Sequence, residues 1–267
     1  MKKKSIIAAC IVAFIAIIVG CSKVVLDYGD IQLLDSNQAV IKINYVSQYS
    51  NNRSVYFKVN DKRVSGLLTA RTPFPGGGYN TGGGNTADFL QVPAGSLQLA
   101  VGLPHKVDNG TDSLILYSTT LNLTAGKYYS VHISDTAAAT KSLLTEENLV
   151  RPDTGFARFH FVNLMANVPA IDLYYGTATG SDQSTDSLLV GNVAFMANSN
   201  DFLLRINGAN KTWKIRPAGA AKTSATVLAS YVTTSVPTNQ RVFTAFASGY
   251  SGKTNTQKPY ISFFLVK

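Results

Sequence analysis

Ala157-Arg158-Phe159-His160-Phe161-Val162 repeats, 116 positions later, the pattern of Ile41-Lys42-Ile43-Asn44-Tyr45-Val46, apolar on apolar and polar on polar. Strict alternation over this length is the period of a strand whose two faces differ. It predicts Ile41, Ile43, Tyr45, Phe159 and Phe161 facing a core, with Lys42, Asn44, Arg158 and His160 facing water. The same slide places Ser54 to Asn60 on Ala170 to Gly176. With small drifts it places Asp88-Phe89-Leu90 and Gly95 on Asp201-Phe202-Leu203 and Gly208, and Lys127 to Ser134 on Arg241 to Ser248. A duplication is implied, with copies at 39–148 and 155–267.

Turn chemistry separates the alternating runs: Val59-Asn60-Asp61-Lys62, Pro93-Ala94-Gly95 and Asn207-Gly208. Strands recurring at this spacing predict an all-β chain of two tandem antiparallel β-sandwiches. Between the copies, Ser142 to Val150 is expected to form a short helical turn, broken by Arg151-Pro152-Asp153-Thr154-Gly155.

At the start of the chain Lys2, Lys3 and Lys4 precede an apolar run from Ile6 to Val19, then Gly20 and Cys21. As a helix that run would cover only about 21 Å, short of the roughly 30 Å hydrocarbon core of a bilayer. A signal peptide over 1–20, cleaved after Gly20, with lipidation at Cys21 and a tether over 21–38, is the expectation. Cys10 reads as apolar filler, which leaves no pair for a disulfide. The partner so implied is a membrane, reached through the lipid anchor. The localisation implied is the cell envelope, as an outer membrane lipoprotein on either the periplasmic or the surface face.

Of 24 basic residues against 15 acidic ones, three belong to the signal, and the rest form no basic block. A nucleic-acid partner is therefore not expected. Three histidines without ligand spacing predict no metal, and no motif calls for a cofactor. His132, Ser134 and Asp135 are the best set a hydrolase of envelope polymers could offer. They lack a nucleophile elbow, and the first two fall on one strand face. No catalytic residue is assigned.

The residues of the second copy also carry a resemblance. Gly155 to Leu164 followed by Val168-Pro169-Ala170-Ile171-Asp172-Leu173-Tyr174 resembles the opening of an immunoglobulin-like family catalogued as a domain of unknown function and common, often in tandem, in lipoproteins of Bacteroidota. Val92-Pro93-Ala94-Gly95-Ser96, Arg216-Pro217-Ala218-Gly219 and Phe243 to Gly249 are similar to its strand and turn motifs, so the resemblance covers 39–267. The first copy departs from it, with Tyr56 where the second has Asp172. The resemblance implies an exported sandwich and brings no catalytic residues.

Contact sites are the remaining candidates. Pro73 to Gly84 is glycine-rich and lacks the Lys-Ser/Thr of a phosphate loop, so it reads as a mobile contact loop presenting Phe74 and Tyr79. Tyr174, Tyr175 and Trp213 lie on strands, where an outward ring could stack on a sugar and an inward one would pack the core. The function expected is a non-enzymatic binding or structural module for a glycan or protein partner. The alternative is a fimbrial or assembly subunit that exchanges an edge strand, with Ile31 to Asp35 as the candidate strand.

Overall fold

The computed structural model describes residues 37–82, 84–207, 211–233 and 235–267. Half of the chain is strand and 4% is helix, so the all-β expectation holds. Gly20, Cys21 and the segment Ile31 to Asp35 lie outside the described residues.

Strands numbered in chain order form four sheets. In the first, β4 (Leu90–Pro93), β1 (Gln38–Tyr45), β7 (Tyr128–Ser134) and β8 (Lys141–Glu146) lie side by side. The second holds β3 (Lys62–Arg63), β2 (Tyr56–Val59), β5 (Gly95–Pro104) and β6 (Asp112–Leu123). Ile41, Ile43 and Tyr45 of the first sheet and Phe57, Leu99 and Val101 of the second share one buried core. This is the inward half of the alternation.

The third sheet is β12 (Ala197–Asn198), β9 (Phe156–Leu164), β16 (Val242–Ser248) and β17 (Tyr260–Leu265), with β13 (Phe202–Arg205) also on β9. The fourth is β11 (Ser187–Ala194), β10 (Ala170–Gly176), β14 (Lys211–Pro217) and β15 (Ala229–Thr233). Phe159, Phe161, Leu173, Trp213, Ile215 and Phe243 fill the core between them.

The sandwiches are not purely antiparallel. β1 runs parallel to β7, and β9 runs parallel to β16. The two parallel pairs also fix how the copies correspond: Lys42 stands opposite Ser130, and His160 stands opposite Thr244. With Ser130 matched to Thr244, Lys42 is equivalent to His160 and not to Arg158. The sequence slide was out of step in the first strand because alternation is unchanged by a shift of one full period.

Ser142 to Val150 is not helical. Ser142, Leu143, Leu144 and Thr145 belong to β8, in antiparallel register with Ile133 to Ser130 of β7. A short segment with few local contacts takes the conformation that its sheet neighbour rewards.

The largest departure concerns the outward face of the alternation. Lys42, Asn44, Ser130 and His132 are all fully buried, and His160 is 4% exposed. A third core explains this: Val46, Leu143 and Leu149 from the first half meet Val162, Leu164, Phe246 and Phe264 from the third sheet. Of the four polar residues expected in water, Lys42, Asn44 and His160 lie within this packed layer between the two halves, while Arg158 is half-buried and pairs with Asp201 at 3.3 Å.

Candidate functional site

An apolar pocket of about 260 Å³ opens at the end of the first core. Its location follows from strand alternation: Tyr45, the last inward residue of β1, stands at the core's end and meets Phe57 edge-on at 6.2 Å. Val55, just before β2, bridges to Leu68. Leu103 of β5 pairs with Leu114 of β6, and register shifts on either side set Leu114 and Leu116 along the same wall.

The remaining wall is the connection from Tyr49 to Arg53. Tyr49 Oη accepts from Ala137 N at 3.0 Å, and Asn52 Oδ1 accepts from Ala70 N at 3.1 Å. The second half holds this connection from behind. Gln257 Nε2 donates to Gln48 O at 2.8 Å, and Thr256 Oγ1 donates to Ser50 O at 2.7 Å. Arg53 lies exposed at the mouth, with no hydrogen bond or ion pair among the described residues. Among the described residues no carboxylate lines the pocket. Burial pushes the Tyr45 phenol up to about 12, so the pocket offers a neutral hydroxyl and no base at neutral pH.

The residues singled out by sequence lie elsewhere. Phe74 pairs with Ile43 through both backbone bonds (2.7 and 2.8 Å) and packs on Phe57 at 5.8 Å. Tyr79 pairs with Phe263 of β17 and packs on Phe243 at 5.9 Å. Asn80 Nδ2 donates to Ile261 O at 2.8 Å. The glycine-rich stretch is therefore a clasp from the edge of the first sheet to the edge of the third, and its two aromatics contact other parts of the chain. Lys42 Nζ, donating to Pro75 O at 2.8 Å, secures its base.

Trp213 is fully buried, with its ring centre 4.8 Å from both Tyr175 and Phe263. Tyr175 is 5% exposed in the same core. Both turn inward because β10 and β14 place them on the face toward the third sheet. Tyr174 points to the opposite face but is covered too. Arg216 stacks on it at 4.6 Å, within a buried cluster where Asp186 accepts from Lys214 (2.8 Å) and Arg216 (3.0 Å).

His132, Ser134 and Asp135 do not assemble as a catalytic set. His132 Nδ1 accepts from Asn44 Nδ2 at 3.1 Å, and its ring lies on Phe264. Ser134 Oγ donates to Leu164 O at 2.7 Å, and Asp135 Oδ1 accepts from Tyr250 Oη at 2.7 Å. Around Glu147, Thr244 Oγ1 donates at 3.0 Å, Ser130 Oγ donates as well, and His160 Nδ1 stands 3.7 Å away. Burial holds His132 down to about 3, with neighbouring His160 adding to the effect. Among the described residues no group of three or more His, Cys, Asp or Glu could hold a metal.

The sequence reasoning missed Tyr49, Asn51 and Arg53. An available signal was Asn51-Asn52-Arg53, a polar run with no counterpart before Ala170 in the second copy.

Residues 42–174 match the family described as Domain of unknown function (DUF4397). The match takes in the first sandwich with its pocket and runs through β9 into β10. No curated protein matches the chain. Among solved structures, a leucine-rich repeat protein from Bacteroides thetaiotaomicron VPI-5482 is similar at 14% identity and a TM-score of 0.20, over 74% of this chain and 24% of that one. The chain thus spans about a quarter of that protein's length. A family 26 carbohydrate-binding module from Eubacterium rectale Amy13K, solved with maltoheptaose, is similar at 12% identity and a TM-score of 0.21, over 83% of this chain and all of that one. At such scores neither likeness carries an argument.

Proposed function

We propose that the chain is a lipoprotein of the bacterial outer membrane, anchored through Cys21, on the periplasmic or surface face, whose paired sandwiches act as a non-enzymatic binding or structural module. The observation that carries this reading is the preformed pocket: it is lined by the first half, braced from behind by Gln257 and Thr256 of the second, and supplies apolar surface, hydroxyls, an amide and a guanidinium unpartnered among the described residues, but no nucleophile and base in contact. The internal commitments of His132, Ser134 and Asp135 support the same reading against a hydrolase. A glycan partner would have to use surfaces other than Trp213 and Tyr175, which the core covers. The Lys-tipped apolar run ending at Gly20-Cys21, with the resemblance to Bacteroidota lipoproteins, supports the anchor.

The pocket lies at the Tyr45 end of β1, whereas the residues before Asn37 join at the Gln38 end. Eight residues of strand separate the two by about 23 Å at roughly 3.3 Å per residue. The full chain expressed in a bacterial host is expected in the membrane fraction with a lipid-modified Cys21 by mass spectrometry, and Cys21→Ala is expected to lose the modification and the attachment. An unmodified Cys21 in the membrane fraction would refute the anchor.

A second reading, an assembly subunit, has one observation in its favour. β6 is a twelve-residue edge strand whose sole charge is Asp112, with Leu114 and Ile115 exposed. Such an edge can accept another strand. Polymers persisting in an unboiled gel would support it.

A further inference from the structure

The geometry points to a ligand class for the pocket at the end of the first core: small carboxylates with a compact apolar body, such as a single ring or a short acyl chain. The inference rests on reading the chain as a binding module and goes beyond it by naming the chemistry that the pocket selects.

Size sets the first limit. At about 260 Å³ the pocket lies just below the roughly 300–1,000 Å³ of sites that enclose drug-sized molecules. Its floor sets the second. Val55, Leu103 and Leu116 with the Tyr45 ring offer carbon surface, and sugar hydroxyls pressed against it would lose water without gaining partners. An apolar body is what this floor rewards.

Charge sets the third. Arg53 stands at the mouth with its guanidinium unpartnered among the described residues, while other arginines of the first half are engaged: Arg63 pairs with Asp108 at 2.9 Å, and Arg71 donates to Gln48 Oε1 at 2.6 Å. A planar guanidinium presents two parallel N–H groups, which match the two oxygens of a carboxylate. Asn51 on the same wall adds an amide donor. With no carboxylate among the described lining residues, an anion meets no repulsion from them, whereas a cationic ligand would meet Arg53 as their one charge.

The probe is 3-phenylpropionate, titrated calorimetrically into the full chain in nonionic detergent with protein-free micelles as the blank; 3-phenylpropan-1-ol is the uncharged control. Saturable binding of the acid is expected, weakened roughly tenfold or more both in the alcohol and by Arg53→Gln, since each removes a charge-assisted contact. Leu114→Trp, at a mouth residue that is 55% exposed and whose replacement leaves the core intact, is expected to fill the pocket and abolish binding. No binding of the acid, equal binding of the alcohol, or full binding to Arg53→Gln or Leu114→Trp would each overturn the inference. None of these results bears on the Cys21 anchor, and loss of the anchor would leave the titration unchanged, so the two readings fail separately.

Discussion

His132 and Lys42 show what it takes to bury polar groups between two sandwiches. Lys42 is fully buried, yet its ammonium donates to Pro75 O and lies 5.2 Å from the Phe89 ring and 5.5 Å from the Phe264 ring. Burial lowers it to about 8, against the opposing pull of Asp88 and Glu147. His132 has no such compensation: its Nε2 has no partner among the described residues, and protonation would place a positive charge in a fully buried site beside His160. Its folded value of about 3 lies below the ordinary 6.5, so between these limits the unfolded chain binds the proton and the folded chain does not. Stability from this group is complete above pH 6.5 and falls as pH drops toward 3, by at most about 1.4 kcal/mol per pH unit. Urea midpoints measured from pH 7 to pH 4 are expected to fall more steeply for the native chain than for His132→Phe. Equal slopes would show that His132 titrates normally. Alternation in the sequence marked Lys42, Asn44 and His160 as unlike their neighbours, and this was correct. What it could not convey is what covers the second face, because that depends on residues from the other copy.

At the scale of elements, the same limit explains β8 and the glycine-rich clasp. Ser142 to Thr145 has no strong local preference, and its strand state comes from its four register partners on β7, Ile133 to Ser130. The inward half of β1 and β9 was legible because a period of two is a local signal. The clasp was not, since glycines suit both a free loop and a close approach of two backbones. Gly78 is a close approach: a Cβ there would stand 2.4 Å from Phe263 O, backbone that cannot move aside as a side-chain tip would. Gly78→Ala is expected to detach the Tyr79–Phe263 bridge and lower stability by about 1–3 kcal/mol, the usual cost of overpacking. Gly84→Ala, in a position with no heavy atom near its Cβ, is the control and is expected to change stability by less than about 0.5 kcal/mol. The difference in thermal midpoint between the two variants checks the claim, and equal midpoints would mean that the clasp contributes nothing.

Across the whole described body, two cores with matching parallel strand pairs flank a third core between them. Contacts across this layer are extensive: Thr244 with Glu147, Ser134 with Leu164, Tyr250 with Asp135, and the clasp on β17. Separating the halves would expose Val46, Val162, Phe246 and Phe264 together and leave Lys42, Glu147 and His160 without their cross-layer partners. Water could hydrate the charges, but it would also wet the apolar surface, at about 25 cal/mol per Å². The halves should therefore unfold together. Differential scanning calorimetry is expected to give one transition with calorimetric and van't Hoff enthalpies in agreement. Phe264→Ala, which removes a fully buried ring from the shared layer, is expected to shift that single transition down by about 3–5 kcal/mol without splitting it. Two resolved transitions in the native chain would mean that the layer is too weak to couple the sandwiches. The wall of the pocket, held by Gln257 and Thr256 from the second half, would then loosen before the first core melts.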